Sequence, residues 1–361
     1  MLFWVDRIAM KTFDELTQRG QSARLLGVAR ATLHAYPIDV KRVRLLAKHT
    51  NTLFRVDAMD GTRYVLRVCT PGNHSPHDNQ IEALWLEALA GAPEIRAPYL
   101  VAGCDGQTIR QVVTDSVTDG RRCMLFTWVP GKRMPYDAPA KDFEKVGVLL
   151  AQLHRQSATM SVPEHMRPMR WDKAFYFPHD PVVVYDPAKV QPCPSGWMEM
   201  IGQAEHIVNA ELDRLFDCGR PQLIHGDMHA NNVHVYKGDI YAIDFEDVVW
   251  GFPVQDIAVT LYAARYHRDP STNLGQAFAD VRDALRRGYE RVAAWPVESD
   301  RQLETLLVAR MLMFINYRVH RGGVDMGKYL PGMLARVEAF VNSEPSRSTC
   351  ACHCPATEVA G

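Results

Sequence analysis

The sequence predicts an α+β chain of two lobes, an N-terminal antiparallel sheet plus helix followed by a larger, mainly helical half. Three observations carry this expectation. Short β-rich runs separated by turn residues crowd into residues 43–69, apolar residues recur at helical intervals from Phe143 onward, and Pro130-Gly131 breaks the chain between the two patterns. The hydrophobic period changes from about two to about 3.6, the difference between a strand, whose alternate side chains share a face, and a helix.

Residues 12–34 read as a first helix, with Phe13, Leu16, Leu25, Leu26 and Leu33 as its apolar positions. After Pro37, residues 43–48, 53–58 and 63–69 read as a three-stranded meander, the second turn carrying Asp60-Gly61, a favoured hairpin dipeptide. Ile81, Leu84, Trp85 and Leu89 place a helix at 79–90, and strands are expected at 108–116 and 122–129. Beyond Gly131, Phe143, Val146, Leu149, Leu150 and Leu153 define one amphipathic helix. Residues 160–196, rich in proline and aromatics without a period, read as an elaborated loop or insertion. A helix follows at 197–216, then a hairpin of 233–236 and 240–244 around Lys237-Gly238-Asp239, then helices near 254–266, 274–293, 301–320 and 328–342. The division expected is an N-terminal lobe at 1–129, a C-terminal lobe at 130–342, and a disordered small, polar tail at 343–361. In such a layout a nucleotide is sought between the lobes.

Composition narrows the function classes. With 47% hydrophobic and 23% charged residues, a chain of 361 residues is ordinary globular protein, long enough to bury a core. The 41 basic against 42 acidic side chains lack the basic excess of a dedicated nucleic-acid binder, so no nucleic-acid partner is expected. Met1 to Val5 is too short an apolar run for a signal peptide, and the most apolar later stretch, 306–317, contains Arg310 and Asn316. No membrane partner is therefore expected, and a cytoplasmic location is. Cys69, Cys104, Cys123, Cys193 and Cys218 are scattered and read as free core thiols. Cys350, Cys352 and Cys354 crowd into CACHC, whose alternate spacing is not that of a zinc knuckle.

The chemistry concentrates in Leu223 to Asp247, LIHGDMHANNVHVYKGDIYAIDFED. Asp227 follows the apolar pair Leu223-Ile224, Asn232 comes five residues later, and Asp244 closes the hairpin. Phosphoryl transfer from a nucleotide needs a carboxylate beside the acceptor hydroxyl and oxygen ligands for the magnesium ions that bridge the phosphates. Either aspartate alone reads as a turn or strand-end residue. The three together supply the required groups in order.

HGDMHANN resembles the His-Gly-Asp-x-His-x-x-Asn catalytic loop of the aminoglycoside phosphotransferase and choline kinase superfamily, and IDFED resembles its metal-binding segment. The match falls on His225, Gly226, Asp227, His229, Asn232, Asp244 and Phe245. The resemblance spans roughly 20–340 and implies a bilobal protein-kinase-like fold that uses ATP or GTP with Mg2+. It implies that Asp227 orients or deprotonates the acceptor hydroxyl and that Asn232 and Asp244 hold magnesium. His225 and His229 would mainly shape the loop, although composition leaves open a zinc site of His225, His229 and His234.

Arg67, in YVLRV, stands where kinase-like folds place the cation for the α- and β-phosphates; otherwise it is a solvated strand arginine. Its carboxylate partner is expected to be Glu82, with Glu87 as competitor. The turn His49-Thr50-Asn51-Thr52 is not glycine-rich; Thr50 and Asn51 either cover the phosphates or form an ordinary hairpin turn. MLFTWVPG resembles the linker strand, with Thr127 and Val129 offering a carbonyl and an amide to the adenine edge. Asp256, in PVQDIAVTL, matches an aspartate at the start of the next helix, as an N-cap or loop brace.

The function implied is phosphoryl transfer to a hydroxyl of a small-molecule acceptor of aminoglycoside, macrolide, choline or homoserine-like class. A serine/threonine protein kinase of the same superfamily and a non-catalytic nucleotide-binding pseudo-kinase are the alternatives. Trp171, Asp172, Tyr176, Tyr262 and Arg310 are expected to build the acceptor pocket. Glu246 and Asp247 either attract a cationic acceptor or are exposed loop acids.

Overall fold

In the computed structural model, residues 11–190, 195–266, 274–321 and 326–343 are described. Cys193 and the CACHC tail lie outside them. Helix α1 (Gln18–Leu33) starts later than the apolar pattern predicts, because the Thr17 hydroxyl accepts the Gly20 N–H at 3.2 Å and caps it there. Strands β1 (Val40–Lys48), β2 (Thr52–Ala58) and β3 (Arg63–Val68) form the expected meander. Helix α2 (Pro76–Ala90) begins three residues early, because Ser75 and Asp78 form a reciprocal capping box ahead of Pro76. Strands β4 (Ile109–Thr114) and β5 (Val117–Thr127) complete an antiparallel sheet of order β1-β2-β3-β5-β4. On β2 Thr52, Phe54, Val56 and Ala58 are buried while the residues between them are less so, the period-2 pattern of a sheet covered on one face. That cover is α1: Leu25, Val28, Ala29 and Leu33 pack with Phe54, Val56, Leu66, Val68 and Leu125.

The remaining chain supplies β6 (Lys132–Arg133), α3 (Ala140–Ser157), α4 (Trp197–Cys218), β7 (Gln222–Ile224), β8 (Val233–Tyr236), β9 (Asp239–Ala242), β10 (Val249–Gly251), α5 (Pro253–Tyr266), α6 (Leu274–Glu290), α7 (Asp300–Arg321) and α8 (Met326–Asn342). Strands β6, β8 and β9 form one small sheet, and β7 pairs with β10. Strands β6, β7 and β10 were not expected; at two or three residues each they are too short to show alternation. Strand β9 ends at Ala242 and not at 244. Helices α3 and α6 meet backbone to backbone: a Cβ on Gly147 would lie 2.0 Å from the Leu285 carbonyl oxygen, and one on Gly288 1.8 Å from that of Glu144. Helix α5 is buried from Val254 to Ala264 and forms the core of this part.

The loop over 160–190 is ordered by side chains distant in sequence. Asn316 of α7 accepts the Val183 N–H at 2.7 Å and donates to the Pro181 carbonyl at 3.1 Å, and Asn209 of α4 accepts the Ala174 N–H at 2.8 Å. By compactness the chain forms two units. One takes the chain up to Gly91 with Ala97–Val129; the other takes Ala92–Arg96 with the chain from Pro130 on. Cys69 and Cys123 are buried thiols outside any disulfide, but Cys104 and Cys218 are exposed and do not belong to a core. Among the described residues, no helix is long and apolar enough to cross a membrane.

Candidate active site

Strand β7 delivers the chain into the loop that holds Asp227, and the loop is fixed from below by α5. Asp256, fully buried in the first turn of α5, accepts the His225 N–H on Oδ2 and the Gly226 N–H on Oδ1, each at 2.8 Å. Its carboxylate is therefore a loop brace and does not cap its own helix. His154 of α3 backs it, with Nε2 3.1 Å from Asp256 Oδ2 and Nδ1 2.9 Å from the Tyr289 hydroxyl. Gly226 has φ 76°, and a Cβ there would lie 2.2 Å from the Asp247 carbonyl oxygen, so only glycine fits this turn. The Thr260 hydroxyl donates to the Met228 carbonyl at 2.6 Å, a second tie from α5.

The two loop histidines have distinct positions. His225 is buried, accepts the Asp227 N–H on Nδ1 at 3.3 Å and donates from Nε2 to the Ile243 carbonyl at 3.0 Å. Burial lowers its pKa against the pull of Asp256 and Asp227, so a neutral ring links the loop to the segment before Asp244. His229 accepts the Asn231 N–H on Nδ1 at 3.2 Å, and its Nε2 lies 3.3 Å from Asp227 Oδ2. The Tyr136 hydroxyl, 3.4 Å from His229 Nδ1, also accepts from Asn231 at 3.0 Å. With these nitrogens engaged, and His234 Nδ1 3.3 Å from the Pro130 carbonyl oxygen, the three rings do not converge. The zinc alternative is corrected accordingly: no cluster of three His, Cys, Asp or Glu suited to a metal occurs among the described residues.

Asp227 is the centre of the arrangement. Its Oδ1 accepts from Arg310 of α7, and its Oδ2 accepts from Asn232 Nδ2 at 3.0 Å; the same Nδ2 is 2.9 Å from the Asp227 carbonyl oxygen. The side chain is 19% exposed. Burial pushes its pKa up, but the Arg310 guanidinium and then His229 outweigh burial and hold the carboxyl below the usual range. The Asn232 carbonyl accepts the Ile243 N–H at 2.9 Å, which brings Asn232 beside the residue that precedes Asp244. Asp244 itself adopts a left-handed conformation (φ 67°, ψ 64°), is exposed, and starts a single 3-10 turn, Phe245–Asp247. Aspartate tolerates this conformation better than most side chains.

In the other unit, Arg67 sits on β3 between Leu53 of β2 and Met124 of β5. It is 4% exposed and Glu82 of α2 is 1% exposed. Arg67 Nη1 donates to Glu82 Oε1 at 3.0 Å and Nη2 donates to Oε2, the planar fork-to-fork geometry of a bidentate pair. Arg67 is thus not a solvated strand arginine. Glu87 is exposed and takes no part in the pair. Asn51 spends its side-chain oxygen on the Thr70 N–H at 2.8 Å, and Asn73 donates to the Thr50 carbonyl at 2.7 Å, so this turn is braced onto the segment after β3. Thr127 donates its N–H to Tyr99 and accepts the Tyr99 N–H on its hydroxyl, both at 2.9 Å. Val129 makes no hydrogen bond among the described residues.

A sequence model of the phosphotransferase enzyme family matches residues 41–295, more than half of the chain and inclusive of Arg67, Asp227, Asn232 and Asp244. The chain belongs to the phosphotransferase enzyme family. Amicoumacin kinase of Bacillus subtilis (strain 168) is 25% identical over 238 residues, 63% of this chain and 64% of that kinase, so the match spans less than two thirds of the relative. Among solved structures, an amicoumacin kinase in complex with AMP-PNP, Ca2+ and Ami superposes with a TM-score of 0.68 at 17% identity, covering 90% of this chain and 96% of that one. A microcompartment-associated aminopropanol kinase gives 0.67 at 19%, over 88% and 95%. The choline kinase LicA from Streptococcus pneumoniae gives 0.58 at 13%, over 89% and 100%. These three likenesses establish the fold.

The residues expected around the acceptor are only partly brought together in this phosphotransferase-family chain. Trp171 and Tyr176 are buried and stacked, with ring centroids 5.0 Å apart, and the charges of Arg310 and Asp227 both act on Tyr176. Tyr262 is buried and lies within reach of the Arg310 charge. Asp172 does not join them; it pairs with Arg170 at 3.0 Å in a largely exposed contact. Glu246 and Asp247 are half-buried, not exposed loop acids. Sequence reasoning missed His154, Tyr289, Tyr136 and Asn231. The buried face of α3 carried the one available signal, a histidine among its apolar positions.

Proposed function

We propose that this chain transfers the γ-phosphoryl group of ATP or GTP to a hydroxyl of a small molecule. The observation that carries the reading is Asp227, held on both carboxylate oxygens by Arg310, His229 and Asn232, with Asn232 tied through its carbonyl to the residue before Asp244. An ionised carboxylate in this position orients the acceptor hydroxyl and takes its proton as the oxygen attacks. His229 and Asn232 keep the carboxylate plane fixed, and Asp256 holds the backbone beneath it.

The donor set suits a magnesium ion. Asn232 turns its Nδ2 toward Asp227, which leaves Oδ1 without a hydrogen bond among the described residues, and Asp244 presents an exposed carboxylate. Two hard oxygen donors match an ion that keeps its remaining positions for water and phosphate. Asn232 and Asp244 would hold Mg2+, which offsets the charge on the bridging phosphates when bound. Arg67, locked in plane by Glu82, is the cation for the α- and β-phosphates, and the unpaired backbone of Val129 suits the adenine edge. Thr50 and Asn51 act as braces for the phosphate-side turn and Thr127 as a brace for the linker strand.

The relatives bear the names of small-molecule kinases, which supports a small-molecule acceptor over a protein serine or threonine. The intact set of Asp227, Asn232 and Asp244 argues against a pseudo-kinase. The test is release of nucleoside diphosphate from Mg-ATP and Mg-GTP across a panel of hydroxylated small molecules. Asp227→Asn should lower turnover by at least about 100-fold while nucleotide affinity stays within about twofold. A wild-type protein that binds nucleotide but phosphorylates no member of the panel would sink the reading.

A further inference from the structure

Near Asp227 stand hydrogen-bond donors that are not fully used: Arg310 is paired to it, and its charge and that of Arg310 both act on Tyr176. Arg310 is 13% exposed, and its partners among the described residues are Asp227 and, at 3.9 Å, the sulfur of Met313, which is a weak acceptor at best. A guanidinium carries further N–H groups in a rigid fork, and these are unspent. Trp171 Nε1 and the Tyr176 hydroxyl are buried without a hydrogen-bond partner among the described residues, and the two rings stack on one another. A buried donor left unpaired is destabilising, so a site that keeps several of them is built for a ligand that brings the acceptors. Arg310 also lies beyond residues 41–295, the stretch matched by the family's sequence model, so membership assigns it nothing.

Position decides what that ligand is. If Asp227 receives the acceptor hydroxyl, as the proposed function requires, the carbon bearing that hydroxyl comes to rest against the guanidinium paired to the same carboxylate. A cationic group on that carbon or its neighbour would meet Arg310 in a poorly solvated setting, which is unfavourable unless the group reaches past it to Asp247, whose charge also acts on Arg310. A carboxylate there would meet a planar fork with free N–H groups, the geometry that pairs most tightly with two coplanar oxygens.

We propose that the acceptor is a small hydroxy acid, with its carboxylate a few bonds from the phosphorylated hydroxyl, and that Arg310 is the residue that selects it. The proposal rests on the phosphotransferase reading of Asp227. Trp171 and Tyr176 supply further donors to the polar groups of the acid.

The test uses the full chain with Mg-ATP and acceptors matched in carbon skeleton: glycolate, glycerate and 4-hydroxybutyrate, each beside its amide and its parent diol or triol, with ethanolamine and choline as cationic members. Turnover and ligand-induced shifts in melting temperature are both read. The expected result is that at least one acid binds and is phosphorylated with kcat/KM at least tenfold above its amide. Arg310→Met should abolish that preference chiefly through KM. Arg310→Lys, which keeps the charge but not the fork, should retain part of it and guards against a folding failure in the first variant. Phosphorylation of the amides, alcohols or amines in preference to the acids overturns the assignment of Arg310 while leaving the phosphotransferase reading intact. Failure of every acid to bind or react overturns it too, and absence of turnover with all members removes both.

Discussion

At Asp227 the outcome of one electrostatic contest sets the charge of the carboxyl. Burial alone would raise the carboxyl pKa, but Arg310 and His229 reverse it, so the carboxylate proposed as the base is already ionised across neutral pH. A group whose native pKa is depressed stabilises the fold fully above its unfolded value, about 3.9 for aspartate, and loses that contribution as pH falls through the native value. Replacing Arg310 by methionine removes the cation that wins the contest. The expected outcome is an acid limb in the kcat profile that moves toward higher pH and an acid-unfolding transition that begins at higher pH than in the wild type. Profiles of kcat from pH 4 to 8 and urea unfolding over the same range check both; an unmoved acid limb would show that His229 and Asn232 suffice. The same residue scale explains the Glu82 choice. Glu82 and Glu87 are five positions apart, which on a helix puts them on well-separated faces, and only the face carrying Ile81, Trp85 and Leu89 turns inward.

Helix α5 shows how one element carries a loop. Its buried face supports the Asp227 loop from two points, Asp256 under His225 and Gly226 and Thr260 under Met228. A buried carboxylate that accepts from two backbone amides and a histidine has little room to relax, because each donor left unpaired is costly in a dry interior. Asp256→Asn preserves size but sets an amide NH2 against one of those donors. We expect a loss of about 3 kcal/mol in stability, the scale for a broken buried polar pair, with turnover falling more than nucleotide KM rises. Chemical denaturation and steady-state kinetics on the same preparation test it, and wild-type turnover would mean that the loop holds its shape without the brace. Helices α3 and α6 act at one remove, since their close crossing at Gly147 and Gly288 brings His154 and Tyr289 together behind Asp256.

At the scale of the whole molecule, the proposed nucleotide residues, Arg67 in one unit and Asp244 in the other, should separate kinetically from the proposed acceptor residues. Arg67→Ala should raise the nucleotide KM and lower turnover by roughly 10- to 100-fold, because the guanidinium offsets charge on the transferring group; Arg67→Lys should be only partly impaired. Asp244→Ala should remove the magnesium dependence of nucleotide binding. Neither change should move the acceptor KM by more than about twofold if both residues act on the nucleotide alone, and magnesium titrations with both substrates varied in turn decide the point. By itself the sequence determined the elements with a sustained hydrophobic period and the run in which Asp227, Asn232 and Asp244 stand close enough that spacing along the chain becomes spacing in the loop and hairpin; it offered both Glu82 and Glu87 to Arg67, and the fold chose Glu82. Only the tertiary structure decided that Arg310, 83 residues from Asp227, closes on it, that Asp256 braces the loop with His154 behind it, and that Asn316 and Asn209 order the loop over 160–190. The physical reason is the same in each case: these side chains are polar, isolated in their own segments and satisfied by partners far along the chain, so no local period announces them until the fold supplies the other half of the bond.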